Sequence, residues 1–210
     1  FGENWKNHRE KIIESWTSTI QPEDTVIMAG DLSWATHLPD ALNDLKMLSS
    51  LPGRKIIVRG NHDYWWDTVT KMKRMTNNAF EFLHNNALQV NDIALAGTRG
   101  WIPETSRKFT EDDQKIVLRE EGRMERSLQE AKKLNCSKII AVLHYPPFDE
   151  NRQPTHMMQL IASYGVSDVI YGHIHGQQNF HNLPEELGGV KLHLTSSDYL
   201  DFKPLLIQEW

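Results

Sequence analysis

Four short apolar segments of this sequence end in aspartate, asparagine or histidine. The polar residues are Asp31 after VIMAG, Asn61, His62 and Asp63 after IIVRG, His144 after IIAVL, and His173 and His175 in VIYGHIH. Each apolar segment is predicted to be a buried strand. Because the carboxyl ends of neighbouring parallel strands meet at one edge of a sheet, we predict that these side chains share one crevice.

The order of predicted helices and strands indicates an α/β fold in a single domain over residues 1–210. Helices are predicted at residues 39–51, 67–75, 110–134 and 155–165, after a first helix that ends before Pro22. Strands are predicted at residues 25–30, 54–60, 80–86, 87–98, 137–144, 168–176, 190–199 and 202–210, with a hairpin turn at Asn91-Asp92. The alternation predicts helices packed on a mixed sheet or on two sheets.

Composition limits the possible partners. The chain carries a formal net charge of −5, so it gives no specific signal for nucleic acid. Cys136 is the single cysteine, which is compatible with a cytoplasmic location. No run approaches the ~18 apolar residues of a membrane span, and no membrane partner is expected. The sequence carries no signal for the oligomeric state.

The residue types at the strand ends favour a divalent metal site. Imidazole suits zinc and iron, whereas carboxylate and amide oxygens suit manganese and magnesium, so a mixed set without thiolate favours manganese, iron or zinc. His173 and His175 lie two residues apart, and a regular strand would send them to opposite faces. They can converge only if the chain turns after Gly172, so if both bind metal we expect them to serve different metals or to approach from different sides.

Four motifs of this sequence resemble those of the calcineurin-like metallophosphoesterases, in order and in spacing. They are GD at 30–31, GNHD at 60–63, LHYPP at 143–147 and GHIH at 172–175. The resemblance covers most of the chain and is strongest to small bacterial members, whose substrates the motifs do not reveal. It implies a four-layer αββα sandwich of two mixed β-sheets flanked by helices, with a two-metal centre at the sheet edges.

The resemblance also implies which residues hold the metals. Asp31 would bridge two divalent ions, manganese, iron or zinc, with manganese preferred. Asn61, His144 and His173 would complete one metal site, and His175 would belong to the other. Two such ions clamp phosphate oxygens and generate a hydroxide near neutral pH.

The remaining motif residues would act on the substrate. By the resemblance, His62 protonates the leaving oxygen or stabilises the transferring phosphoryl group, and Asp63 holds His62 in place. A histidine beside a carboxylate stays protonated to higher pH, as an acid requires. The implied activity is that of a hydrolase, a phosphatase or phosphodiesterase in which a metal-bound hydroxide attacks a small phosphorylated substrate.

One family motif is absent. The family's first motif, Asp-x-His, occurs nowhere in the 210 residues and would supply two ligands to the metal that His175 serves. We therefore expect that a strand with this motif precedes Phe1 in the natural protein. We also expect this chain alone to bind one metal well and the second poorly, with little activity.

Three further residues are candidates for substrate contacts. Arg99, in GTRGW, could hold a phosphate through two hydrogen bonds, and Trp101 could stack on an aromatic leaving group. Tyr145, in HYPP, could line the pocket. The alternative is a surface arginine with packing aromatic side chains. The charged segment 110–134 is predicted to be a solvated helix or a cap over the edge of the site.

Two alternatives to a phosphoesterase remain open at this point. One is a catalytically degenerate binding or scaffold module with the same fold. The intact His62-Asp63 pair favours an enzyme over that module, because a scaffold needs no acid. The other is a metal-dependent nuclease, against which the acidic charge balance counts.

Overall fold

The fold consists of two β-sheets that stack face to face, with helices on both outer sides. The computed structural model describes residues 2–209. Its helices are α1 (His8–Thr19), α2 (Leu38–Ser49), α3 (Val69–Met75), α4 (Glu111–Lys133) and α5 (His156–Ser163). Its strands are β1 (Thr25–Met28), β2 (Arg54–Ile57), β3 (Glu81–Phe82), β4 (Ala87–Val90), β5 (Ile93–Thr98), β6 (Lys138–Leu143), β7 (Asp168–Tyr171), β8 (Glu186–Leu187) and β9 (Val190–Leu194).

Local sequence signals set the starts of two helices. At the start of α4, the Asp113 carboxylate accepts the backbone N–H of Thr110 at 2.8 Å, as part of a capping box. At the start of α5, the Thr155 hydroxyl accepts the backbone N–H of Met158.

Gly122 does not interrupt α4. None of the helices within residues 2–209 has the length and apolar character needed to cross a membrane.

The first sheet has the order β1-β2-β3 and is parallel in all described strands. Thr25 pairs with Arg54 and Met28 with Ile57, so β1 and β2 end at the same level. The crossovers between these strands contain α2 and α3, which is the usual way to join parallel strands. We expected both sheets to be mixed, but the described strands of this sheet are all parallel. Each connection between them is a helical crossover rather than a hairpin.

The second sheet has the order β4-β5-β6-β7-β9-β8 and is mixed. Strands β5, β6, β7 and β9 are parallel, whereas β4 and β8 are antiparallel edge strands. The predicted hairpin over residues 87–98 is confirmed, and Asn91 adopts a positive φ of 49° in its turn. The carboxyl ends of β5, β6 and β7 thus lie at one edge of this sheet.

Three apolar cores correspond to the three contacts between four layers. Ile56 of the first sheet and Val142 of the second lie in the core between the sheets. Leu45 of α2 belongs to the core outside the first sheet, and Met124 of α4 to the core outside the second. This arrangement confirms the predicted four-layer αββα fold.

Two predictions about the second half of the chain were wrong. The segment predicted as a solvated helix or cap is α4, which packs on the second sheet and buries Met124, Leu128 and even Glu120. The segment 202–210, predicted as a strand, forms none within residues 202–209, where the backbone N–H groups of Phe202 and Lys203 donate to the preceding turn rather than to a neighbouring strand. Pro204 also lacks the N–H that a strand ladder needs.

A candidate metal centre at the carboxyl ends of the parallel strands

The strand ends bring the predicted polar residues to one edge of the two sheets. Asp31 follows β1, Asn61 follows β2, His144 directly follows β6, and His173 follows β7. Asp31 and His173 have positive φ values of 59° and 70°. Such backbone conformations are uncommon for residues with a side chain and occur where surrounding structure requires them. The predicted crevice is therefore formed by turns that aim side chains back over the strands.

Two glycines permit the close approach of the turns that follow β1 and β2. A Cβ atom at Gly60 would overlap the carboxylate and the backbone nitrogen of Asp31. A Cβ atom at Gly30, whose φ is 94°, would come within 3.0 Å of the backbone of Arg59 and Gly60. Only glycine fits these positions without displacing Asp31 or the backbone of Arg59 and Gly60.

Donor atoms of four side chains converge at this edge. His144 Nε2 lies 2.7 Å from Asn61 Oδ1, 3.2 Å from His173 Nδ1 and 3.5 Å from Asp31 Oδ2. His173 Nδ1 lies 3.0 Å from Asn61 Oδ1. We call Asp31, Asn61, His144 and His173 the candidate metal residues.

The tautomer of His144 leaves a lone pair facing this group. Its Nδ1–H donates a hydrogen bond to the carbonyl oxygen of Ala29 at 2.8 Å. Burial lowers the pKa of His144 to about 4, although the bond to Ala29 opposes this shift. The ring is therefore neutral at pH 7, and its Nε2 atom has no proton to give to Asn61 Oδ1. Two acceptor atoms that face each other at 2.7 Å are the arrangement that a cation satisfies.

His173 is also in the form that binds metal. Burial lowers its pKa to about 4, and the neighbouring His144 lowers it further. Neutral imidazole is the form that coordinates a metal, so neither ring must lose a proton at pH 7. Tyr145 packs against His173 with ring centroids 4.1 Å apart, which restrains the orientation of this ring.

The set of donors depends on the amide of Asn61. Among residues 2–209, carboxylate, imidazole and thiol side chains alone form no group of three or more arranged to hold a metal ion. With the Asn61 oxygen included, the set is two imidazoles, one amide and one carboxylate. That mixture fits a divalent ion such as manganese, iron or zinc and does not fit a thiolate site.

The two histidines of the last motif have different partners. The chain turns after Gly172, whose carbonyl oxygen accepts the N–H of Ile174 at 2.8 Å. His173 joins the candidate metal residues, whereas His175 Nδ1 lies 2.7 Å from Asp198 Oδ1. The second oxygen of Asp198 accepts the backbone N–H of Gly176. Sequence reasoning missed Asp198, because it lies in the SSDY segment outside every motif.

His62 lies beside the candidate metal residues with its ring between two aromatic side chains. It stacks on Trp34 with ring centroids 4.6 Å apart and an interplanar angle of 9°, and it meets Tyr64 edge-on at 6.1 Å. Its backbone N–H donates to Asp31 Oδ1 at 2.8 Å. Trp34 and Tyr64 are 64% and 58% exposed, so His62 lies at the surface end of the crevice.

Asp63 does not hold the ring of His62, contrary to the sequence-based prediction. Asp63 is fully buried, and its carboxylate accepts N–H groups at 2.7–3.4 Å from the backbone of Asp31, Leu32, Ser33 and Gly60 and from the Trp65 indole. Burial raises the pKa of Asp63, and the backbone hydrogen bonds oppose that rise. Its backbone donors come from both turns, so Asp63 ties the turn after β1 to the turn after β2.

The three candidate substrate-contact residues lie next to this group. The Arg99 guanidinium stacks on the Trp101 ring at 4.3 Å, and the Trp101 indole N–H donates to Asp113 at 2.8 Å. Tyr145 lies between Trp101, at a centroid distance of 5.3 Å, and His173. Trp101 and Tyr145 line a cavity of about 230 Å³. The three residues thus form a continuous surface from the candidate metal residues to this cavity.

Comparison with known proteins gives a family match and two similar structures. A sequence model of the family described as calcineurin-like phosphoesterase matches residues 6–177, and no curated protein matches the chain. The crystal structure of TT1561 from Thermus thermophilus has 16% identity and a TM-score of 0.61, covering 91% of this chain and 84% of that one. A protein of unknown function, AQ665 from Aquifex aeolicus, has 20% identity and a TM-score of 0.43, covering 95% of this chain and 81% of that one.

The residues matched by the family model include most of the site described above. Residues 6–177 contain all four candidate metal residues as well as His62 and His175. The likeness to TT1561 concerns the fold, which in this chain is the four-layer arrangement of helices and sheets. On the extent of the sequence match, the chain belongs to the calcineurin-like phosphoesterase family.

Proposed function

We propose that this chain is a metal-dependent phosphoesterase that hydrolyses a phosphomonoester or phosphodiester of a small substrate. The observation that carries the proposal is the contact of His144 Nε2 with Asn61 Oδ1 at 2.7 Å, two acceptors facing each other in a buried crevice. Apposed lone pairs of this kind are unfavourable without a cation between them. Family membership supports the same class of reaction.

The candidate metal residues would hold one divalent ion, manganese, iron or zinc, with manganese preferred. Asp31 and His175 are the residues of this chain that would serve a second ion. Bound ions of this type neutralise phosphate oxygens and make water acidic enough to act as a nucleophile near neutral pH. The chain positions these ligands before metal binds, since backbone hydrogen bonds and packing already fix the rings of His144 and His173.

His62 would act on the phosphoryl group or on the leaving oxygen. Its ring is held by stacking on Trp34 rather than by a carboxylate. This contact fixes the ring plane while leaving the nitrogen atoms to donate a proton or a hydrogen bond to substrate. Asp63 supports the reaction indirectly, because it ties the turn that carries His62 to the turn that carries Asp31.

The experiment is hydrolysis of p-nitrophenyl phosphate and bis-p-nitrophenyl phosphate by manganese-loaded protein, with metal content measured in parallel. We expect His62→Ala to lower kcat by about 10²–10⁴-fold with unchanged metal content, as for loss of a general acid. The control His181→Ala removes an exposed histidine outside the site and should change neither quantity.

The result also separates an enzyme from a binding module. Metal-dependent hydrolysis that His62→Ala abolishes would support the enzyme. Metal binding without hydrolysis of any phosphate ester, by wild type and variant alike, would contradict the proposal and favour a binding or scaffold module with the same fold. Equal activity in wild type and His62→Ala would remove His62 from the mechanism.

A further inference from the structure

Arginine side chains lie beside the candidate metal residues, and the hydrolysis proposed above does not use them as a group. Arg59 follows β2, Arg99 follows β5, and Arg123 lies in the middle of α4. The carbonyl oxygen of Arg99 accepts the backbone N–H of His144 at 3.1 Å. Arg59 directly precedes Gly60, at the turn that carries Asn61. Arg59 and Arg99 therefore share the sheet edge of the candidate metal residues, and Arg123 reaches this region from α4.

Two of these arginines share one buried carboxylate. Glu120 is fully buried and accepts a hydrogen bond from the Thr98 hydroxyl. Arg123 donates to Glu120 at 2.5 Å, and an Arg99 terminal nitrogen lies 3.5 Å from the same oxygen. The Arg99 and Arg123 side chains remain 14% and 22% exposed. Glu120 thus fixes both guanidinium groups and leaves part of each open to solvent.

Arg59 has no such partner. In the part of the chain that the structure describes, its half-buried side chain makes no hydrogen bond and no ion pair within 4.0 Å. Asp63 and Glu120 are the carboxylates whose charges act on it through space. The carboxylate of Asp63 already accepts several N–H groups, and Glu120 is already paired with Arg123. A half-buried guanidinium without a partner is costly unless an anion binds it.

The charges in this region do not balance. The charges of Asp63 and Glu120 act on Arg59, and Glu120 also pairs with Arg99 and Arg123, so in the described part of the chain three guanidinium groups share these two carboxylates. His84 is not a counter-ion for them, because an imidazole is neutral or positively charged; burial lowers the pKa of His84, and Arg123 lowers it further, which favours the neutral form. Planar guanidinium groups pair with phosphate through two parallel hydrogen bonds, so a phosphate group is the anion that best fits several of them together.

We propose that Arg59, Arg99 and Arg123 bind a second phosphate group of the substrate, while the first phosphate reacts at the candidate metal residues. This inference rests on the proposed function and names its substrate class, a small molecule with two phosphate groups. The lining of the cavity of about 230 Å³ includes Tyr145, which contacts His173, and Glu120, which pairs with Arg99 and Arg123, so the cavity lies next to a neighbour of each group. It gives room for the organic part between the two phosphates.

The first test compares substrates with one and two phosphates. Manganese-loaded protein is assayed on flexible alkanediol monophosphates and bisphosphates of increasing length, so that the spacing between the phosphates is sampled. We expect kcat/KM to be at least about tenfold higher for the best bisphosphate, as for one charge-assisted hydrogen bond. Arg59→Gln should lower kcat/KM for that bisphosphate about tenfold more than for its monophosphate. Arg119→Gln, an exposed arginine of α4, should change neither.

The second test needs no activity. The full chain, treated with a chelator, is melted at increasing concentrations of inorganic phosphate at constant ionic strength. We expect Tm to rise with phosphate, because a ligand that binds the folded state stabilises it. The apparent Kd should be about tenfold weaker in Arg59→Gln, as for loss of one charged hydrogen bond. It should be unchanged in Arg119→Gln.

The two tests separate this inference from the proposed function. Hydrolysis with no preference for bisphosphates at any length, or an equal effect of Arg59→Gln on both substrates, would overturn the second-phosphate site and leave the phosphoesterase in place. A Tm independent of phosphate would also overturn it. Absence of hydrolysis together with phosphate binding that requires Arg59 would overturn the proposed function and support the anion site.

Discussion

His144 Nε2 lies 2.7 Å from Asn61 Oδ1, although the two residues are 83 positions apart in the sequence. The hydrogen bond from His144 Nδ1–H to the Ala29 carbonyl oxygen leaves Nε2 as an acceptor, so the pair has no hydrogen to share. Burial holds the pKa of His144 at about 4, which keeps the ring neutral at physiological pH. On the function proposed above, these two acceptors would be in place for a cation before it binds.

Asp63→Asn should destabilise the fold, because the carboxylate at this position accepts N–H groups from both turns. An asparagine has one acceptor oxygen and would direct its NH₂ group toward N–H donors. We expect the free energy of unfolding to fall by about 2–4 kcal/mol, measured by urea denaturation at pH 7.

The matched control is Asp201→Asn, since Asp201 is exposed and pairs with Lys203 at the surface. Its effect on the free energy of unfolding should be negligible, because an exposed ion pair is screened by solvent. A variant Asp63→Asn that keeps wild-type stability but loses kcat would contradict the structural role and restore the prediction that Asp63 acts through His62.

Gly60→Ala should abolish metal binding while the chain still folds. The added methyl group would overlap Asp31, so the carboxylate must leave its position next to His144. We expect manganese retained after desalting to fall to background, with the far-UV circular dichroism spectrum preserved. Gly122→Ala is the control, because a Cβ there meets nothing closer than 3.6 Å and alanine favours the helix. Retention of metal by Gly60→Ala would show that Asp31 is not a ligand.

Asp168 should make stability depend on pH at the opposite end of β7. Burial of its carboxyl opposes ionisation, but hydrogen bonds from His193, Lys138 and Ser167 outweigh that effect and lower the pKa from 3.8 to about 2. A folded-state pKa below the unfolded value stabilises the protein above pH 3.8, and this contribution is lost as the pH falls toward 2.

Asp168→Asn should therefore lower the free energy of unfolding by about 1–2 kcal/mol at pH 6–7, with allowance for solvent screening. The difference from wild type should shrink as the pH falls below about 4, measured by urea denaturation at each pH. Asp112→Asn, which removes an exposed pair with Lys115, should have no comparable effect. A constant difference at all pH values would contradict the linkage.

The sequence was sufficient to predict at which edge of the sheets the candidate metal residues lie, but not the side-chain contacts around them. Apolar segments that end in Asp31, Asn61, His144 and His173 predict a shared crevice, because parallel strands present their carboxyl ends together. The role of Asp63 was mispredicted because the sequence shows only which residues are adjacent along the chain. Adjacency to His62 suggested a pair, whereas the turn directs the carboxylate inward, to donors from a different part of the chain.

The arginine group and Asp198 were not predictable as partners. The helical period of residues 110–134 indicated α4, but not that its Glu120 would be buried against Thr98 and two arginines. A buried carboxylate has no distinct sequence pattern, since its burial depends on which helix face meets the sheet. Asp198 likewise becomes informative only when the fold brings it to His175.

The most direct test of the central claim is metal stoichiometry on protein of confirmed intact mass. The chain is loaded with manganese, desalted and analysed for metal per chain. We expect a single tightly held ion in wild type and in His181→Ala, and its loss in Asn61→Ala and in His144→Ala. Wild-type protein that retains no metal, or an Asn61→Ala variant that retains as much as wild type, would contradict the assignment of this crevice as a metal centre.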